Sequence, residues 1–86
     1  MPPEANGPGI GRLKRPLQPM PAGIAERLRQ QGLRAAYDAR PAYQRNDYLA
    51  WIARARQPAT REKRLAQMLD ELAAGHLYMK MQWKGR

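Results

Sequence analysis

The sequence predicts an all-α fold, a small four-helix domain, on three observations. Between residues 21 and 75, apolar side chains recur three and four positions apart, the spacing of one helix face. Pro21, Pro41 and Pro58 each open such a segment, where a missing N–H costs nothing. Gly32 and Gly75 follow the ends of two segments, where a left-handed residue closes a helix.

Ahead of the helices, prolines 2, 3, 8, 16 and 19 and glycines 7, 9 and 11 make residues 1–20 a disordered, basic arm. The first helix is predicted over 22–31, with Ile24 and Leu28 four apart. A short second helix over 33–39 carries Leu33, Ala36 and Tyr37. The third, over 41–56, has an apolar stripe of Tyr48, Trp51, Ile52 and Ala55 with Leu49 at its edge, while Asn46, Asp47 and Arg54 face away. The fourth, over 58–74, buries Leu65, Met68, Leu69 and Leu72 and closes at Gly75. Its joint to the third is so short that the two must be neighbours, with antiparallel packing expected. Residues 21–75 therefore form the helical domain.

Beyond Gly75 the period changes to two: Leu77, Met79, Met81 and Trp83 alternate with Tyr78, Lys80, Gln82 and Lys84. Residues 76–86 are expected to be an extended tail packed on the helical body. A sharper alternative is a strand that pairs with the arm or with another chain.

Eighty-six residues bury little surface, so the core is thin and a deep catalytic cleft is not expected. Cysteine is absent, which excludes disulfides, thiolate metal sites and a cysteine nucleophile. No apolar run approaches the ~20 residues that span a bilayer. The N-terminus MPPEANGPGIGRLKR lacks the apolar core of a signal peptide. A cytoplasmic monomer is the expectation.

The formal charge is +9, unevenly spread: residues 1–19 contribute +2, residues 76–86 contribute +3, and residues 20–75 only +4. Attraction to polyanions follows, without specifying one. The densest cationic run is RARQPATREKR, residues 54–64, with five cations and one carboxylate. Its charges oppose the dipole of the fourth helix: Arg61, Lys63 and Arg64 lie near the positive end and Asp70 and Glu71 near the negative end. Each such placement costs ~0.3–1 kcal/mol at an exposed site. One reading makes Arg54, Arg56, Arg61, Lys63 and Arg64 an anion- or partner-binding set around the start of that helix. The other pairs them within the body or leaves them solvated.

Arg61 precedes Leu65, Met68 and Leu72 by four, seven and eleven residues, so it lies on the apolar stripe. Its guanidinium is expected to reach a helix-end carbonyl, a carboxylate or a ligand. Thr60 either caps the fourth helix or bonds within its first turn. Arg45, three before Tyr48 and seven before Ile52, is expected to anchor the third helix, with Glu71 as its partner. Together with Arg45, the structural anchors are Tyr48, Trp51, Ile52, Pro58, Thr60, Leu65, Met68, Leu72 and Gly75.

Of the aromatic residues, Tyr43, Tyr78 and Trp83 remain surface candidates for stacking on bases, but no helix-turn-helix spacing supports nucleic-acid recognition. His76, Met79 and Met81 form His-x-x-Met-x-Met, soft ligands lacking a fourth partner; no metal and no cofactor are expected. The single histidine has no evident nucleophile and orienting carboxylate, so no catalytic residue is assigned and an enzyme is not expected.

The run YQRNDYLAWIARARQPATREKRLAQMLDELAAG, residues 43–75, resembles the YdeI/OmpD-associated family, also called the bacteriocin-protection family. The resemblance rests on Tyr48, Trp51 and Ile52 of a Tyr-x-x-Trp-Ile helix, on Pro58, Thr60 and Arg61 of a Pro-x-Thr-Arg joint, and on Leu72 and Gly75 of a closing Leu-x-x-Gly. Weaker similarity extends back to about Pro21. Two positions depart: the family often has Lys where Arg56 stands and Glu where Ala59 stands. The resemblance implies a bacterial, mostly helical module linked to envelope stress and antimicrobial resistance, with no catalytic residue set. The functional expectation is a non-enzymatic binding or adaptor module contacting an acidic protein or other polyanion. The alternative is a protein-interaction module whose surface is Tyr78, Met79, Met81 and Trp83, and nucleic-acid binding is third.

Overall fold

A computed structural model of the chain describes residues 18–83. Residues 1–17 of the arm expected over 1–20 and the last three residues of the tail lie outside them; residues 18–20 are described and lie against the helical body. Four helices, α1 (Ala22–Gln30), α2 (Arg34–Asp38), α3 (Ala42–Ala53) and α4 (Pro58–Ala74), precede two short strands, β1 (Leu77–Tyr78) and β2 (Met81–Gln82). The four-helix prediction holds.

The punctuation works as its chemistry requires. Pro21 is extended, and its carbonyl accepts the N–H groups of Ile24 at 3.1 Å and Ala25 at 3.0 Å, which starts α1. Gly32 takes φ +67°, and its N–H and that of Leu33 return to the carbonyls of Arg29 and Leu28. This paired closure satisfies two end carbonyls and turns Leu33 onto the core. Gly75 closes α4 at φ +87°.

α3 is shorter than expected, ending at Ala53 instead of residue 56. Gln57 must be extended ahead of Pro58, so residues 54–57 make the reversal. Across it, Arg61 bonds to Ala55, Arg64 to Trp51 and Glu71 to Tyr48, so α4 runs antiparallel to α3. The core joins Ile24 and Leu28 of α1, Tyr37 of α2, Tyr48, Leu49 and Ile52 of α3, and Leu65, Met68, Leu69 and Leu72 of α4.

Burial on α3 corrects the one-face reading. Asn46, expected to face away, is 3% exposed, and its side-chain oxygen accepts the Gln18 N–H at 2.6 Å. Asp47 is half-buried and accepts the Tyr78 hydroxyl at 2.7 Å. α3 is surrounded because α4, the hairpin and residues 18–20 all lie against it; Met20 packs on the core. Arg54 is exposed, as expected.

The tail departs further from its expected course. It folds on itself as an antiparallel hairpin, with Leu77 opposite Gln82 and Tyr78 opposite Met81. The alternating apolar edge is broken at Met79 and Lys80, which turn the chain, so Tyr78 packs inward and Met81 is 57% exposed. Met79 and Lys80 have φ of +51° and +65°, the left-handed pair of a two-residue hairpin turn that usually holds Asn-Gly. A non-glycine residue pays roughly 1–2 kcal/mol for that conformation. The offset comes from Glu71, whose carboxylate accepts the N–H groups of Met79 at 2.9 Å and Lys80 at 2.8 Å. The same carboxylate, on a residue only 3% exposed, accepts the Tyr48 hydroxyl at 2.5 Å and the Gln67 amide at 3.1 Å.

Two predictions follow from this clamp. Glu71→Ala leaves four donors in buried or part-buried bonds without their acceptor and should cost about 3 kcal/mol in urea unfolding, with faster amide exchange at Met79 and Lys80. An unchanged midpoint would remove the clamp from the account. Burial, then the bond to Glu71, raises the Tyr48 phenol above the ordinary tyrosine range; burial, then the bond to Asp47, does the same for Tyr78. Phenols that bind their protons more tightly when folded contribute stability fully below pH ~10 and lose it above. Alkaline urea titrations should therefore show falling stability above that pH, less steeply in Tyr78→Phe.

Candidate functional site

The run from Arg54 to Arg64 sorts into two kinds of cation. Arg61 and Arg64 are spent on the fold. Arg61 donates to the Ala55 carbonyl at 3.2 Å, a main-chain acceptor just past the end of α3, out of the three kinds of acceptor expected for it. Arg64 donates to the Trp51 carbonyl at 2.6 Å, its guanidinium carbon 5.3 Å from the Trp51 ring centroid. Arg64 thus leaves the expected anion-binding set and joins the anchors. Trp51 is half-buried against the core.

Arg54, Arg56 and Lys63 are exposed, and among the described residues none pairs with them. The one carboxylate of the run, Glu62, is already matched by Arg27 of α1 at 2.7 Å. The first turn of α4 contains no acidic residue and no side-chain cap. Gln57 occupies the cap position, so Thr60 sits inside the first turn and does not cap the helix.

Beside this joint, α1, α3 and α4 leave an open groove of about 510 Å³. Ile24, Leu49, Ile52 and Leu65 supply apolar walls, Gly23, Ala53 and Pro58 line it further, and Arg27, Arg61 and Glu62 bring polar groups to it. No sequence periodicity announces such a groove, because it arises where three helices fail to close over one another. The absent side chain at Gly23 is its one local signal.

Arg45 requires a correction. Its guanidinium donates to the Arg40 carbonyl at 3.0 Å, and Glu71 is not its partner. Arg40, overlooked in the sequence, occupies that place: 4% exposed, it donates to the Glu71 backbone carbonyl and to the Gln44 side chain, both at 3.0 Å, and lies 4.4 Å from the Trp83 ring centroid. Tyr78 meets Tyr43 and Tyr48 edge-on at 5.9 and 5.4 Å. Trp83 and Tyr78 are therefore committed to the body, and Tyr43 and Met81 are the exposed large apolar residues among those described. His76 is exposed with Nδ1 3.2 Å from the Ala74 carbonyl. Among the described residues no three His, Cys, Asp or Glu side chains are grouped to hold a metal, and no helix is long and apolar enough to cross a membrane.

The two kinds of cation should separate in urea unfolding. Arg64→Ala is expected to cost about 1.5–3 kcal/mol through its bond to a main-chain carbonyl. Arg56→Ala and Lys63→Ala should stay within about 0.5 kcal/mol of the parent. Equal effects at Arg64 and Lys63 would contradict the division.

Neither a curated protein nor a solved structure matches the chain. A family model described as "Bacteriocin-protection, YdeI or OmpD-Associated" matches residues 19–75. That stretch takes in all four helices, the cationic joint and the glycine that closes α4, and it stops where the hairpin begins. With most of its length so matched, the chain belongs to the bacteriocin-protection, YdeI or OmpD-associated family.

Proposed function

We propose that this chain is a non-enzymatic binding or adaptor module that takes an acidic partner on the face where α3 turns into α4. The supporting observation is that Arg54, Arg56 and Lys63 stand exposed and without a partner among the described residues, while every other charge of that run is engaged. Exposed cations contribute little to folding, and a partner bearing several carboxylates would gain from all three. A role in protection against antimicrobial proteins is the physiological setting we propose, and its support is the family description alone. A second reading sets the partner on the hairpin side, favoured by the 57% exposure of Met81 and the 49% exposure of Tyr43.

Fluorescence anisotropy with labelled poly-glutamate tests the first reading. Binding at low salt should weaken as salt rises, and replacing Arg54, Arg56 and Lys63 together by Ser should lower affinity roughly tenfold. Arg34→Ser, which removes an exposed arginine already paired with Asp38, should leave affinity within about twofold. Binding that is insensitive to salt, or equal in the triple variant, would reject it. If Met81→Ser weakens binding instead, the hairpin reading gains.

A further inference from the structure

We infer that the groove between α1, α3 and α4 is the apolar half of the same site, and that its occupant is an acidic peptide segment carrying leucine-sized side chains. This rests on the acidic-partner reading and adds what the partner must look like. The groove, at about 510 Å³, exceeds what one methyl or water would fill and falls within the ~300–1,000 Å³ of pockets that hold ligands. Its walls are aliphatic, from Ile24, Leu49, Ile52 and Leu65. Its joint side is positive. Arg61 lines it, and the exposed Arg54 and Arg56 stand one and three residues after Ala53 of the lining, in the joint itself. Glu62 does not offset them, because Arg27 holds it.

The spread of positive charge selects among occupants. A small ligand with one carboxylate would meet one cation and leave the others idle. A basic segment would be repelled. A nucleic acid satisfies the charges but gives the aliphatic walls nothing to bury. An acidic segment with leucines satisfies both halves, seating apolar side chains in the groove while its carboxylates face the joint.

Gly23 provides the test. It lines the groove and is exposed, and a Cβ built there meets nothing within 4 Å, so a larger residue is accommodated at the groove's edge without displacing the backbone. Two labelled peptides with the same glutamates are compared by anisotropy on the full chain, one with leucines and one with serines in their place. The parent should prefer the leucine peptide by about tenfold or more, the worth of burying one such side chain. Gly23→Leu should bring that preference to about twofold or less while salt-sensitive binding of the serine peptide persists. Gly23→Glu should weaken both peptides. Amide shifts at Leu49, Ile52 and Ala53 on adding the leucine peptide to the parent supply a readout independent of any variant's folding. Equal binding of the two peptides by the parent, or an undiminished preference in Gly23→Leu, overturns the inference and leaves the cationic face standing. An oligonucleotide of matched charge that binds more tightly than the leucine peptide overturns it as well. If neither peptide binds at low salt, the acidic-partner reading itself fails.

Discussion

A carboxylate taken out of water must be matched by donors, and Glu71 imposes that demand at the centre of this fold. Left unmatched, such a charge costs several kcal/mol. Its donors come from the hydroxyl of Tyr48 on α3, the amide of Gln67 one turn earlier, and the backbone of the hairpin turn. The Arg40 guanidinium, held by the main-chain carbonyl of the same residue, brings the chain between α2 and α3 to this point. One side chain and its own peptide group thus tie together segments that a thin core alone would hold loosely.

The antiparallel pairing of α3 and α4 explains charges that look misplaced on α4 alone. Arg61 and Arg64 stand at the end of α4 where its dipole disfavours cations. That end lies beside the last turn of α3 and the reversal that follows it, and the guanidinium groups serve carbonyls there, Arg64 that of Trp51 and Arg61 that of Ala55. Glu71, near the other end of α4, faces Tyr48 and a turn rich in free N–H groups. The charge pattern is set for the neighbours of α4 more than for α4 itself.

The helices were legible because proline, glycine and apolar spacing are local signals: Pro21, Gly32, Pro58 and Gly75 act where expected, and Leu65, Met68 and Leu72 are buried. The carbonyl partner of Arg61 was also within reach, since a cation on an apolar stripe must find an acceptor. What was not legible depends on the third dimension. Asn46 and Gln44 are buried because several elements meet around α3, which no single periodicity reports. The hairpin was obscured because Met79 and Lys80 are not turn-forming residues; their left-handed turn exists only over a distant carboxylate. Glu71 did carry a clue, standing three residues after Met68 on the buried face of α4, where an acid has to be answered by donors. The groove had only Gly23 to announce it.

Recognition of the hairpin by Glu71 is confined to main-chain N–H groups, so the carboxylate reads the shape of the turn and is blind to the side chains that form it. Helix α4 therefore ends in a socket into which turns of different composition can be plugged if their backbone is left-handed at two successive residues. The family-matched region ends at Gly75, just before the inserted piece, whereas the socket lies within it. Such an arrangement lets the helical body fix where the chain reverses, while the side chains at 79 and 80 play no part in that bond.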